Sequence, residues 1–159
     1  MKRNIICTLL ISCLLSIISC NPKSNFEAEK TQVKAVVDNF ATFWEKEDTT
    51  ILSAIFDHDP EMVNYGAEPK EVFVGWKALK DSLVEILPAF DQTKVTVKNQ
   101  VIQISASRDV AWFSEIMDWD LLYKGQPAHL PNQRLTGVLV KKDGKWVIVQ
   151  FHNSVPGAE

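Results

Sequence analysis

The chain has 159 residues, room for a single domain with a sizeable core, and its 46% apolar and 23% charged residues place it among folded rather than disordered chains. Its formal charge of −3, with no basic stripe anywhere along it, argues against a nucleic-acid partner.

The first segment reads as a targeting signal. Lys2 and Arg3 precede the apolar run "IICTLLISCLLSII", which is shorter than the about 20 residues a membrane span needs. The run ends in Ile17, Ile18, Ser19 and Cys20, which resembles a lipobox, the bacterial lipoprotein signal cleaved before a lipidated cysteine. The earlier "LISC" ending at Cys13 also fits, but cleavage there would leave an apolar remnant on the mature chain. All three cysteines lie in this segment, so the mature domain has no disulfide and no thiol chemistry. The expected division is a signal peptide over 1–19, a tether over 20–25 and one domain over 26–159. Acyl chains on Cys20 would hold that domain to the cell envelope, on the periplasmic or outer-membrane side.

From Phe26 a helical period places Val33, Val36, Val37, Phe40, Phe43 and Trp44 on one face. Asp48 is placed to cap a second, short helix, "TTILSAIF". "MVNYG" and "EVFVG" read as short strands, and a third helix carries Trp76, Leu79, Leu83, Ile86 and Leu87 until Pro88 stops it. "KVTVKNQVIQIS" alternates, then changes phase at Val101 and Ile102, as a β-bulge would require. "VAWFSEIMDWDLLY" is a long strand turned by "KGQP", and "RLTGVLV" and "KWVIVQF" form a hairpin around Asp143-Gly144. The expected fold is α+β, with three helices against one face of a mostly antiparallel sheet.

This order, with the stretches 58–79 and 134–154, resembles the SnoaL-like branch of the nuclear transport factor 2-like superfamily. Residues 134–154 are also similar to the end of the calmodulin-dependent kinase association domain, and "YKGQP" (123–127) to a turn of ketosteroid isomerase. The resemblance implies a strongly curved sheet wrapped around the helices, a cone whose open end is a pocket. Such domains include isomerases, cyclases, dehydratases and non-catalytic binding modules, so membership leaves function to the site.

Alternation across the last hairpin sets out two faces. One carries Arg134, Thr136, Val138, Val140, Val147, Val149, Phe151 and Asn153; the other carries Leu135, Gly137, Leu139, Trp146, Ile148, Gln150 and His152. The resemblance to ketosteroid isomerase implies that the first face is concave, with Glu115, Met117, Trp119 and Leu121 inside on the preceding strand. The ligand-lining set expected on this basis is Tyr65, Glu115, Met117, Trp119, Arg134, Thr136 and Asn153. His152 and Ser154 then point to the convex side or the rim unless a bulge intervenes. The kinase-domain resemblance implies that Gly137 and Asn153 share the pocket, whereas this register separates them; either the strand bulges or one alignment slips.

Steroid-isomerase chemistry does not carry over. The base falls near Asn64 or Tyr65, the tyrosine near Phe40 and the protonated aspartic acid near Thr136, and none can do the required task. Glu115 and Arg134 remain, and three roles stand open for them: a neutralising ion pair, a carboxyl acid/base at Glu115, or an anion clamp at Arg134. The carboxylates flanking His58 in "DHD" (57–59) suggest a metal, but neighbouring loop residues rarely converge on one ion, and none is expected. No cofactor is expected. His152 and Ser154 lack the partners of a hydrolase. The second face, with Trp112 and Ile116, would leave an apolar convex surface and so a homodimer. The favoured reading is a pocket for a small, largely apolar molecule, against a cofactor-independent isomerase, dehydratase or hydrolase using Glu115, or a dimeric assembly module.

Overall fold

The computed structural model describes residues 22–155 and 157, with side chains from Phe26 onward. The leader and Cys20 lie outside the described residues. Helix α1 (Pro22–Lys46) begins inside the stretch expected to be a tether. It buries Val33, Val37, Phe40, Phe43 and Trp44, the stripe its period sets out. Each such side chain contributes about 1.5–3 kcal/mol by leaving water. Glu47 breaks the helix in a left-handed conformation (φ 54°), and Asp48 restarts it. The Asp48 carboxylate accepts from Thr50 N at 2.8 Å, capping α2 (Thr49–Ile55).

Two short strands, β1 (Val63–Tyr65) and β2 (Val72–Val74), precede α3 (Trp76–Ile86). A 3-10 turn over Leu87–Ala89, holding Pro88, leads into β3 (Phe90–Ile104). Then follow β4 (Val110–Tyr123), β5 (Gln126–Lys142) and β6 (Lys145–Ser154). The six strands form one mixed sheet in the order β2-β1-β6-β5-β4-β3. β1 runs parallel to β6 and the other neighbours are antiparallel. The helices pack in the concave side, giving the α+β cone expected. Both long hairpins close through two positive-φ residues, Lys124-Gly125 and Asp143-Gly144, the turn whose twist matches paired strands.

Four bulges bend the sheet. Near the start of β3, Gln92 (φ 51°) and Thr93 together oppose Leu121. In β3, Asn99 (φ 51°) and Gln100 together oppose Glu115, which accounts for the change of phase just beyond them. In β5, Pro131 and Asn132 oppose Asp118, whose carboxylate accepts from Asn132 N at 2.8 Å. In β6, Val138 pairs with Gln150 and Leu139 with Ile148, leaving Val149 as an extra residue.

That last bulge corrects the expected faces. The register holds as expected from Lys142 opposite Lys145 to Leu139 opposite Ile148, then slips by one. Leu135, Leu139, Trp146 and Ile148 are buried against the helices, not displayed on the convex side. Beyond Val149 the alternation inverts, so Phe151 also turns inward, where it packs against Phe40 and Phe56. Arg134 and Thr136 face solvent instead. Gly137 faces inward opposite Phe151, so the slip places Gly137 and Asn153 on one side of the sheet. A Cβ on Gly137 would lie 2.6 Å from the Phe113 ring and 2.7 Å from Gln150 O. Only glycine lets the ring and the bulged strand approach that closely.

Candidate ligand pocket

The open end of the cone holds a cavity of about 390 Å³. Its floor comes from α1 through Phe40 and Trp44, one turn apart on the buried stripe. Its walls come from Leu83 and Ile86 of α3 and from Trp119 and Leu121 of β4. Phe151 and Asn153 of β6 close one side, and the loop Gly66–Glu71 between β1 and β2 forms the rim. Aromatic faces dominate: Trp44 meets Trp119 edge-on at 5.2 Å between centroids and Phe90 at 5.0 Å.

The polar equipment is sparse and incompletely used. Asn153 Nδ2 donates to Gln133 Oε1 at 2.9 Å, which leaves Asn153 Oδ1 buried without a partner. The indole N–H groups of Trp44 and Trp119 are likewise buried and unpartnered. An unsatisfied buried donor or acceptor costs about 1–3 kcal/mol; these three atoms have no accessible surface, so they belong to the packing around the cavity and do not open into it. Among the described residues, no Lys, Arg or His lines the cavity, while Glu68 and Glu71 stand at its rim.

The expected lining residues divide. Trp119 and Asn153 line the cavity. Tyr65 is 44% exposed, stacks edge-on against His152 at 5.9 Å, and borders a shallower cleft beyond the rim loop. Met117 faces inward but is fully buried in the core. Arg134 and Thr136 lie on the outer face: β5 alternates without a break there, with Gln133, Leu135, Gly137 and Leu139 inward, and the Val149 bulge in β6 separates Asn153 from the face that carries Arg134 and Thr136. The anion clamp therefore has no place here.

Glu115 is buried and faces inward, away from Arg134. The β3 bulge delivers Gln100 to it: Gln100 Nε2 donates to Glu115 Oε2 at 2.8 Å and to Asp38 Oδ1 at 2.9 Å. Asp38 in turn pairs with Lys34 at 2.6 Å. Burial pushes the Glu115 carboxyl up to about 7; the Gln100 hydrogen bond opposes this, Asp38 adds to it and Lys34 opposes it. Glu115 does not line the cavity, and the buried Met117 comes next on its face of β4.

Residues of the "DHD" stretch are committed elsewhere. Asp57 pairs with Lys142 at 2.5 Å, His58 stacks on Trp76 at 4.5 Å, and Asp59 Oδ1 accepts from Glu61 N at 2.7 Å. Asn64 is also structural, its Oδ1 accepting from Phe151 N at 2.8 Å. Sequence reasoning missed Phe40, Trp44, Leu83, Ile86 and Gln133 as lining. The helical residues carry a signal, the apolar stripe, but core and pocket share one stripe.

The SnoaL-like domain family matches residues 33–158, nearly all of the folded region. The chain belongs to that family. No functionally curated protein matches it. Solved structures of similar shape include a nuclear transport factor 2-like protein from Salmonella enterica serovar Typhimurium (TM-score 0.74, 18% identity, covering 84% of this chain and 94% of that one). Another, provisionally named a scytalone dehydratase, comes from Novosphingobium aromaticivorans (TM-score 0.72, 17% identity, covering 85% and 89%). A third is an uncharacterised cystatin-like fold protein from Caulobacter vibrioides (TM-score 0.66, 16% identity, covering 82% and 91%). At these identities the likeness establishes the fold alone.

Proposed function

We propose that this SnoaL-like domain binds a small, largely apolar molecule in the open end of its cone, as an envelope-anchored module. The observation that carries the reading is the cavity of about 390 Å³, lined by aromatic and aliphatic side chains with Gln133 and Asn153 among them. Its size and its few polar groups match those of ligand sites. Nile red, an uncharged fluorescent probe, tests it. Saturable one-site binding is expected for the wild-type chain and its loss for Ile86→Trp, which fills the cavity from α3. Equal binding by both proteins would remove the proposal.

One observation favours a second reading, acid/base catalysis: the near-neutral Glu115. The dehydratase name of one structural neighbour belongs to that neighbour, and this reading would extend it here. Against it stands the lining of the cavity described above, which does not include Glu115. A Glu115→Gln variant that binds ligand like the wild type and turns over nothing less would set this reading aside.

Anchoring rests on the leader and Cys20. Replacing Cys20 with Ser is expected to move the chain from the membrane fraction to the soluble one. Pairing of two copies is proposed through the outer sheet face, argued with its residues in the Discussion.

A further inference from the structure

We infer that the pocket selects an uncharged, largely apolar molecule carrying a carbonyl-type oxygen, and that Gln133 is the side chain that recognises that oxygen. The inference rests on the pocket reading above and adds the chemical class of the ligand and the residue that reads it. Of the polar side chains lining the cavity, Gln133 is the buried one, 6% exposed. Ser82, Glu71 and Asn153 are half-buried, and Glu68 and Tyr123 are exposed. Three contacts fix where Gln133 sits. It pairs with Met117 of β4, which also faces inward. The bulge just before it, Pro131 and Asn132, is held through Asn132 N by the Asp118 carboxylate. Asn153 Nδ2 donates to Gln133 Oε1 at 2.9 Å, which decides the end of the amide that is left free. That end is Nε2. Among the described residues it has no hydrogen-bond partner, yet it is not enclosed as Asn153 Oδ1 and the two indole N–H groups are. It keeps accessible surface, which in a buried lining residue opens onto the cavity. A primary amide nitrogen there offers two N–H donors and no charge. A carbonyl-type oxygen satisfies it. A hydrocarbon leaves the donor desolvated and unpaired, an ammonium meets it with more donors, and a carboxylate would give up its hydration for a neutral partner. Sites built around a buried polar group reject analogues that leave that group unpaired.

The test is a matched pair of probes, methyl naphthyl ketone and isopropenylnaphthalene, in which a methylene group stands in place of the carbonyl oxygen. Each is titrated against Nile red on the full chain. Gln133→Met keeps a side chain of similar length and removes the donor; whatever it does to Asn153 bears on both probes alike. The ratio of ketone to alkene affinity is expected to fall at least about 5-fold in this variant, the size of one buried hydrogen bond. An unchanged ratio overturns the inference. The wild-type chain gives a second readout that depends on no variant folding. The infrared carbonyl band of the bound ketone is expected at lower frequency than in an alkane solvent, as hydrogen bonding requires. A band at the alkane position overturns the inference likewise. If Nile red binds and neither probe displaces it, the proposed ligand class is wrong and the pocket reading stands. If Nile red also fails, both fall together.

Discussion

Glu115 is a carboxyl whose hydrogen-bond partner among the described residues, Gln100, is neutral, and the consequence is a defined pH dependence. Its folded pKa, about 7, lies above the ordinary 4.5, so between these values the folded chain holds a proton that the unfolded chain has released. Stability therefore falls as pH rises through this window and stays reduced above it. Glu115→Gln keeps the shape and an acceptor for Gln100 but removes the charge. It is expected to leave stability near pH 5 little changed and to raise it on the order of 1–3 kcal/mol at pH 8. Thermal denaturation at the two pH values checks this; equal shifts at both would contradict it. The inward direction of Glu115 was legible in the alternation of β4. Its partner was not, because a bulge delivers Gln100 and α1 delivers Asp38, 62 residues from Gln100 along the chain.

Elements were legible where a strong local period met strong punctuation. The α1 stripe, the Asp48 cap, the stop at Pro88 and the two turns ending in Gly125 and Gly144 each rest on short-range chemistry. The orientation of β6 was not legible in that way. Strict alternation from Asp143-Gly144 treats every residue alike, and one extra residue, Val149, reverses all that follow. The clue was the conflict between Gly137 and Asn153, which only a slip in register resolves. Gly137 belongs to the same device. Gly137→Ala forces a methyl against Phe113 and the Gln150 carbonyl, and is expected to cost about 1–3 kcal/mol, read as a lower denaturation midpoint. An unchanged midpoint would mean that the strands there are not as close as described.

At the scale of the molecule, the outer sheet face carries apolar side chains: Trp112 and Ile116 of β4 as expected, but not Leu135, Leu139, Trp146 and Ile148, which are buried. Trp112 is 43% exposed and Val101 50% exposed. Trp112 pairs with Val138, and Val140 pairs with both Val110 and Val147, so these side chains share one outward surface. Pairing of two copies across it is expected to give a dimer by sedimentation at micromolar concentration and a monomer after Trp112→Arg. A monomeric wild-type chain would refute it. The described helices offer no segment long and apolar enough to cross a membrane.

The claim on which the functional account depends is that the cone's open end is occupied. Native mass spectrometry of the full chain, purified gently from the cells that make it, tests this most directly. The prediction is a retained small molecule on the wild-type protein that is missing from Ile86→Trp. A bare wild-type protein, or the same added mass on both, would contradict it.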